Sequence, residues 1–159
     1  MNVRRSIAAA AVVLAAPVLS SCGVNFGAQT DQVYNPSVGV DDRSGQVDVL
    51  NALIVSGDDG SGTVVASLVN NNQEQPDTLR GVGGQGLTVQ PGGSTTIPPG
   101  GLLNLATKGR IFVRGENVVP GKFVDVTFTF DKANRVNLQV PVVNASNPVY
   151  ADVPLPSGS

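Results

Sequence analysis

Two stretches toward the C-terminal end of the chain alternate strictly between apolar and polar residues. In residues 124–130 every second residue is valine or phenylalanine, and in residues 136–142 every second residue is valine or leucine. A period of two places these side chains on one face of an extended strand, so each stretch predicts a strand with one buried face. The intervening Asp131–Asn134 has the length and polarity of a hairpin loop, and Pro141 predicts that the second strand ends or lies at a sheet edge there.

The rest of the central region continues this pattern of short strands and turns. The chain contains 19 glycines and 11 prolines, a high share that favours turn-rich β structure. Glycine- and proline-containing turns separate most of the further predicted strands, and no amphipathic helix lies between them. These strands are Val47–Val55, Thr63–Asn70, Thr78–Val82, Gly86–Gln90, Ser94–Ile97, Leu102–Ala106 and Arg110–Arg114. The spacing predicts an all-β, antiparallel sandwich or barrel.

The N-terminal residues have the three parts of an export signal. Arg4 and Arg5 are followed by an uncharged, largely apolar run from Ile7 to Leu19, whose 13 residues fall short of the roughly 20 that a membrane-spanning helix needs. The following Leu19, Ser20, Ser21 and Cys22 resemble the lipobox of bacterial lipoproteins, in which the cysteine receives a diacylglyceryl group and becomes the first residue. The alternative is an ordinary secretory signal with an incidental cysteine.

A lipid on Cys22 would place the protein on the extracytoplasmic face of a cell membrane. Two acyl chains, such as palmitate, anchor a protein stably where one is marginal. Cys22 is the sole cysteine, so the mature chain would have neither a free thiol nor a disulfide. We expect a signal peptide at 1–21, a lipidated N-terminus and polar tether at 22–45, a β-sandwich at 46–143, and a disordered, proline-rich tail at 144–159.

Charge and composition exclude several classes of function. The full chain has a formal charge of −2, and loss of Arg4 and Arg5 leaves 8 basic and 12 acidic residues, a charge of −4. Nucleic acid and anionic lipid headgroups both call for clustered Lys and Arg, so neither is an expected partner. The chain has no His and no thiol besides Cys22, which removes imidazole bases, Ser-His-Asp triads and cysteine nucleophiles. Ser or Thr with Lys, or paired carboxylates, stay open as catalytic groups, but no motif locates them. We therefore do not expect an enzyme.

One short segment carries a candidate contact site. In a regular strand, Arg110 and Arg114 would lie on the same face with Phe112 between them. The three side chains could bind an anion or a protein partner. The alternative is that the arginines only protect an edge strand from pairing with other chains.

The region Thr96–Val143 resembles the C-terminal half of the PCu(A)C family of periplasmic copper chaperones, and specifically its divergent lipoprotein branch in actinobacteria. The matching motifs are Ile97–Gly101, Lys108–Gly115, Val119–Lys122 and the two alternating strands with their loop. The resemblance implies a Greek-key β-sandwich related to cupredoxins. Copper-carrying members bind Cu(I) through Met and His. Their His-x-Met pair falls at Arg110 and Phe112 here, and their other ligands fall between Leu87 and Ser94, where this chain has neither residue type.

The resemblance therefore implies the scaffold without its metal site. We expect a membrane-anchored, non-enzymatic binding or interaction module, with no cofactor besides the diacylglyceryl lipid on Cys22, and with an envelope protein as its partner. Two alternatives stay open: a copper-handling protein that supports respiratory oxidase assembly, and a passive structural component of the envelope.

Overall fold

The computed structural model describes residues 38–91 and 95–156, which form an all-β fold. The predicted signal peptide and lipobox, and most of the predicted tether, lie outside these residues. The strands, in chain order, are β1 (Val40–Asp42), β2 (Val47–Ser56), β3 (Ser61–Asn70), β4 (Asp77–Gly83), β5 (Thr88–Pro91), β6 (Thr96–Ile97), β7 (Leu102–Asn104), β8 (Ile111–Arg114), β9 (Phe123–Phe130) and β10 (Val136–Asn144).

The alternating stretches form the expected hairpin. β9 and β10 pair antiparallel from Val136 opposite Phe128 to Pro141 opposite Phe123. Their apolar positions face the core, where Phe128 is fully buried. Every other predicted strand is also present, with its ends displaced by at most two residues.

The strands form one curled sheet in the order β5-β8-β3-β2-β10-β9-β4-β6, with β1 beside β2 and β7 beside β3. Its inward side chains, from Val47 on β2 to Val142 on β10, form one hydrophobic cluster. The all-β sandwich is thus confirmed. One pair differs from the antiparallel expectation, because β10 runs parallel to β2 from Val142 opposite Ile54 to Asn144 opposite Ser56.

Pro141 does not end its strand or mark a sheet edge. β10 continues to Asn144 and lies between β9 and β2. The described pairing with β9 ends at Pro141, and the pairing with β2 begins at the next residue, Val142. The missing N–H of proline therefore falls where the strand changes partners, which is why it is tolerated inside the sheet.

The fold begins earlier than the expected tether boundary at residue 45. β1 pairs with β2 across an irregularity at Asn51, whose φ of 51° is left-handed. The Asn51 side-chain oxygen accepts a hydrogen bond from the Gly39 N–H at 3.0 Å, and its own N–H donates to Asp41 Oδ1 at 2.7 Å. Val40 packs against the core, but one apolar residue makes no period, so the sequence pattern did not predict β1.

Asp77, at the start of β4, ties this strand to the loop between β9 and β10. Its Oδ1 accepts the N–H groups of Thr78 and Lys132 at 2.6 and 3.1 Å, and its Oδ2 accepts that of Ala133 at 2.8 Å. Burial raises the pKa of Asp77, but these backbone donors together outweigh it and leave the pKa below its usual value. A buried, ionised carboxylate therefore fixes the hairpin loop.

Candidate functional site

Two of the three predicted contact residues lie on the outer face of β8. Ile111 and Val113 point into the core and are 3% and 2% exposed, so Phe112 and Arg114 point away from it. Arg110 is exposed and lies one residue before the strand begins. The structure thus keeps Phe112 and Arg114 together and leaves Arg110 outside the strand.

The alternative that β8 is an edge strand is wrong. β8 pairs with β3 on one side, from Ser61 opposite Arg114 to Val64 opposite Ile111, and with β5 on the other. The edge strand at this end of the sheet is β5. Arg114 therefore does not serve to protect an unpaired strand edge.

The pairing with β5 creates a groove beside Phe112 and Arg114. Thr88 lies opposite Arg114 and Gln90 lies opposite Phe112, so these side chains share the outer face of the sheet. The resulting cavity, here called the β5–β8 groove, has a volume of about 420 Å³, within the range of ligand sites. Its lining residues are Thr88, Gln90, Phe112, Val113, Arg114, Leu155 and Pro156.

The second wall of the groove comes from the C-terminal segment (residues 145–156), which was expected to be a disordered tail. The segment begins directly after β10, where the Ala145 N–H donates a hydrogen bond to Ser56 O at 2.9 Å. It then forms a 3₁₀ turn at Pro148–Tyr150. Farther along, Pro154 O accepts a hydrogen bond from the Thr63 hydroxyl. A Cβ added to Gly57 would lie 3.3 Å from Leu155 Cδ1, which places Leu155 beside the β2–β3 turn.

Burial on the outer face explains why the segment is ordered. Leu53, Val55 and Thr63 are at most 2% exposed, yet they alternate with the core-facing Ile54 and Val64 and so point away from the core. A sheet face buried on that side requires a further layer. The C-terminal segment supplies such a layer over Thr63, because its Pro154 contacts that side chain directly.

The groove carries a cationic group without a close acidic partner. Arg43 and Arg80 pair with Asp41 and Asp131 at 3.2 and 2.7 Å. Within the described ranges no carboxylate oxygen comes within 4.0 Å of the Arg114 guanidinium. Asp59, in the β2–β3 turn, has a pKa below its usual value mainly because Ser61 donates its hydroxyl and its N–H, with the more distant charge of Arg114 contributing least.

The groove also coincides with the position that the resemblance assigns to copper ligands. The structure brings Gln90, from the segment between Leu87 and Ser94, directly opposite Phe112. The groove side chains there are a hydroxyl, an amide, an aromatic ring and a guanidinium, none of which is a soft ligand for Cu(I). In the part of the chain that the structure describes, no three His, Cys, Asp or Glu side chains are close enough together to hold a metal ion. The side chains that line the groove do not fit a copper ion.

Sequence reasoning missed Thr88, Gln90, Leu155 and Pro156. The first two reach the site only through the pairing of β5 with β8, and the last two lie in a segment whose prolines indicated a tail. A signal did exist in β2, where Ala52–Val55 is continuously apolar, which is typical of a strand buried on both faces.

The other predicted site residues, Leu19, Ser20, Ser21 and Cys22, lie outside the described residues. Among the residues that the structure does describe, no helix is long and apolar enough to cross a membrane.

Comparison with known proteins identifies the fold. No protein-family model matches the chain, and no curated protein matches it. Among solved structures, the apo PCuAC domain from PmoF1 matches with a TM-score of 0.57 and 19% identity over 66% of this chain and 99% of that domain. The copper-bound PCuAC domain from PmoF2 matches with a TM-score of 0.55 and 19% identity over 66% and 98%. The apo PmoF2 domain matches with a TM-score of 0.58 and 18% identity over 67% and 97%.

These likenesses span nearly the whole of each PCuAC domain. They confirm the PCu(A)C-like fold that the motifs in Thr96–Val143 predict, and at this level of identity they concern the fold alone. Membership of the actinobacterial lipoprotein branch stays a prediction.

Proposed function

We propose that this protein uses the PCuAC fold as a non-enzymatic binding module, anchored by lipid on Cys22 to the extracytoplasmic face of a membrane, and that the β5–β8 groove binds its partner. The observation that carries the proposal is the presence of Phe112 and Arg114 side by side on the outer face of β8, in a groove of about 420 Å³. Aromatic residues, including Phe, and Arg are enriched at protein–protein interfaces relative to the rest of the protein surface. Neither has a role in the core, which faces the other side of the sheet.

Photo-crosslinking in intact membranes tests this proposal. A photoreactive amino acid replaces Gln90, inside the groove, or Gln139, which is exposed on β10 and does not line the groove. We expect a crosslinked partner from position 90 and none from position 139. We also expect Arg114→Ala to reduce the yield from position 90. Equal yields from both positions would show that the groove is not the contact.

Arg110 provides a matched control for the same experiment. Arg110→Ala removes the same charge from a residue outside the groove lining. We expect it to leave the crosslink largely intact. Loss of the crosslink on changing Arg110 but not Arg114 would move the contact to the start of β8.

A second candidate function is copper handling in support of respiratory oxidase assembly. One observation favours it, the likeness to a copper-bound PCuAC domain. The donor set of the chain opposes it, because soft ligands are restricted to Met1 and Cys22. A Cu(I) titration against a chromophoric chelator, under reducing conditions, separates the two functions. No competition supports a scaffold without a metal role, whereas tight stoichiometric binding supports copper handling.

The third alternative, a passive envelope component, makes a different prediction in the crosslinking experiment. It predicts no specific adduct from any exposed position. A partner captured from the groove alone would exclude it.

A further inference from the structure

The outer face of the sheet already contacts a proline-containing segment of this chain. Val153–Pro156 crosses that face, where the Thr63 hydroxyl donates a hydrogen bond to Pro154 O and Leu155 lies beside Gly57. A hydroxyl that donates to a main-chain carbonyl holds a segment through its backbone, as main-chain hydrogen bonds do in sites that bind peptides. The face is therefore chemically suited to such a segment.

The β5–β8 groove lies next to this contact and offers the same kinds of group. Phe112 provides a half-buried aromatic ring, which prolines pack against in grooves that bind proline-containing peptides. Thr88 and Gln90 provide a hydroxyl and an amide that can bond to the unpaired N–H and C=O groups of an extended chain. Proline also restricts the unbound peptide, so the peptide loses less conformational entropy when it binds.

Charge specifies the ligand further. Arg114 lines the groove, and no described carboxylate pairs with it within 4.0 Å. A carboxylate is the side-chain group that a guanidinium binds in two-pronged geometry. The bound segment should therefore carry Glu or Asp close to its apolar residues.

We propose that the β5–β8 groove binds an extended, proline-containing segment of an envelope protein, with an acidic side chain of that segment paired to Arg114. This inference rests on the proposed function of the groove as the partner site. It adds the chemistry of the partner: an acidic, proline-containing peptide rather than a metal ion or a folded surface.

Fluorescence anisotropy with labelled peptides tests the inference. The protein is the full chain in phosphatidylcholine nanodiscs, and the probes are two fluorescein-labelled hexapeptides that share an apolar, proline-containing core. One carries a glutamate beside the core and the other a glutamine. We expect the glutamate peptide to bind about fivefold more tightly, as for one partly exposed ion pair, and its affinity to fall as salt is added.

Two variants with the same loss of charge separate the groove from the general field of the protein. Arg114→Gln should bring the glutamate peptide to the affinity of the glutamine peptide. Arg110→Gln removes a charge outside the groove and should preserve the fivefold difference. Equal effects of the two variants would overturn the pairing with Arg114.

A third variant tests the aromatic contact. Phe112→Ala should weaken both peptides alike, because it removes the packing surface and leaves Arg114 in place. Unchanged affinity for both peptides would contradict peptide binding in the groove.

The remaining outcomes also decide the matter. If unlabelled copies of this protein displace the probe and form crosslinks between groove residues, the occupant is a second copy, and the proposal is overturned. If neither peptide binds while position 90 still crosslinks to a partner, the peptide inference fails and the proposed function stands.

Discussion

At the scale of single residues, Asp77 shows how one buried carboxylate can hold two distant parts of a fold. It is 1% exposed, and its two oxygens accept backbone N–H groups from both β4 and the β9–β10 loop. The lowered pKa means that the folded state favours the ionised form. Its contribution to stability is therefore fully present above the unfolded pKa of about 4 and is lost as the pH falls through the folded pKa.

We expect Asp77→Asn to lower the free energy of unfolding by about 1–3 kcal/mol at pH 7. The amide keeps one acceptor oxygen but turns an N–H₂ donor toward a backbone N–H that has lost its acceptor. The difference from the unchanged protein should narrow as the pH falls below about 4, because Asp77 is then protonated in the unfolded chain while the folded state still holds it ionised. Urea denaturation at pH 7 and pH 3 measures both effects. A difference that stays constant with pH would contradict this account of Asp77.

Gly62 on β3 lies very close to the neighbouring strand β2 and to Val118. A Cβ there would lie 2.7 Å from both Ile54 Cγ2 and Val55 O, and 3.2 Å from Val118 Cγ1. We expect Gly62→Ala to destabilise the protein by about 1–3 kcal/mol, because the neighbouring backbone cannot move away cheaply. Gly81→Ala on β4 is the control: no atom lies within 4 Å of its added Cβ, so its effect should be small. Denaturation curves of the two variants should separate clearly.

At the scale of elements, sequence reasoning succeeded wherever burial follows a local period. The alternation in 124–130 and 136–142 located β9, β10 and their loop, since each strand buries one face. β1 was not predicted because it offers the core one apolar residue, Val40, and its other contacts are polar bonds around Asn51. The groove was found in part: Phe112 and Arg114 are two residues apart on one strand, whereas Thr88 and Gln90 join them only through strand pairing.

The hydrogen bond from the Thr63 hydroxyl should contribute measurably to holding the C-terminal segment against the sheet. Thr63→Val keeps the shape of the side chain and removes the donor to Pro154 O. We expect a loss of about 1 kcal/mol in stability and faster hydrogen exchange at Val153 and Leu155. Exchange in the β9–β10 hairpin, which lies apart from this contact, serves as the internal control. Unchanged exchange at Leu155 would show that packing alone holds the segment.

At the scale of the whole molecule, the proposed anchor makes a direct prediction. Cys22→Ala removes the sulfur that would carry the diacylglyceryl group, so the protein should shift from the membrane fraction to the soluble fraction after export. Radiolabelled palmitate should label the unchanged protein and not the variant. Ser21→Ala, one residue away, retains the cysteine and should keep the label. Labelling that persists in Cys22→Ala would rule out this cysteine as the attachment point.

The parallel pairing of β2 with β10 has a consequence for how the protein is made. The strand that completes the centre of the sheet, Val136–Asn144, follows every other described strand along the chain, and it contacts one of the first of them. A nascent chain that ends before Val136 lacks the neighbour that links β2 to β9, so the native sheet cannot close. Long-range pairing of this kind makes folding slow and late. The proposed export signal would send the chain through a narrow translocation channel, and a sheet that cannot close before Val136–Asn144 emerges would suit that route, because no stable fold would have to be undone first.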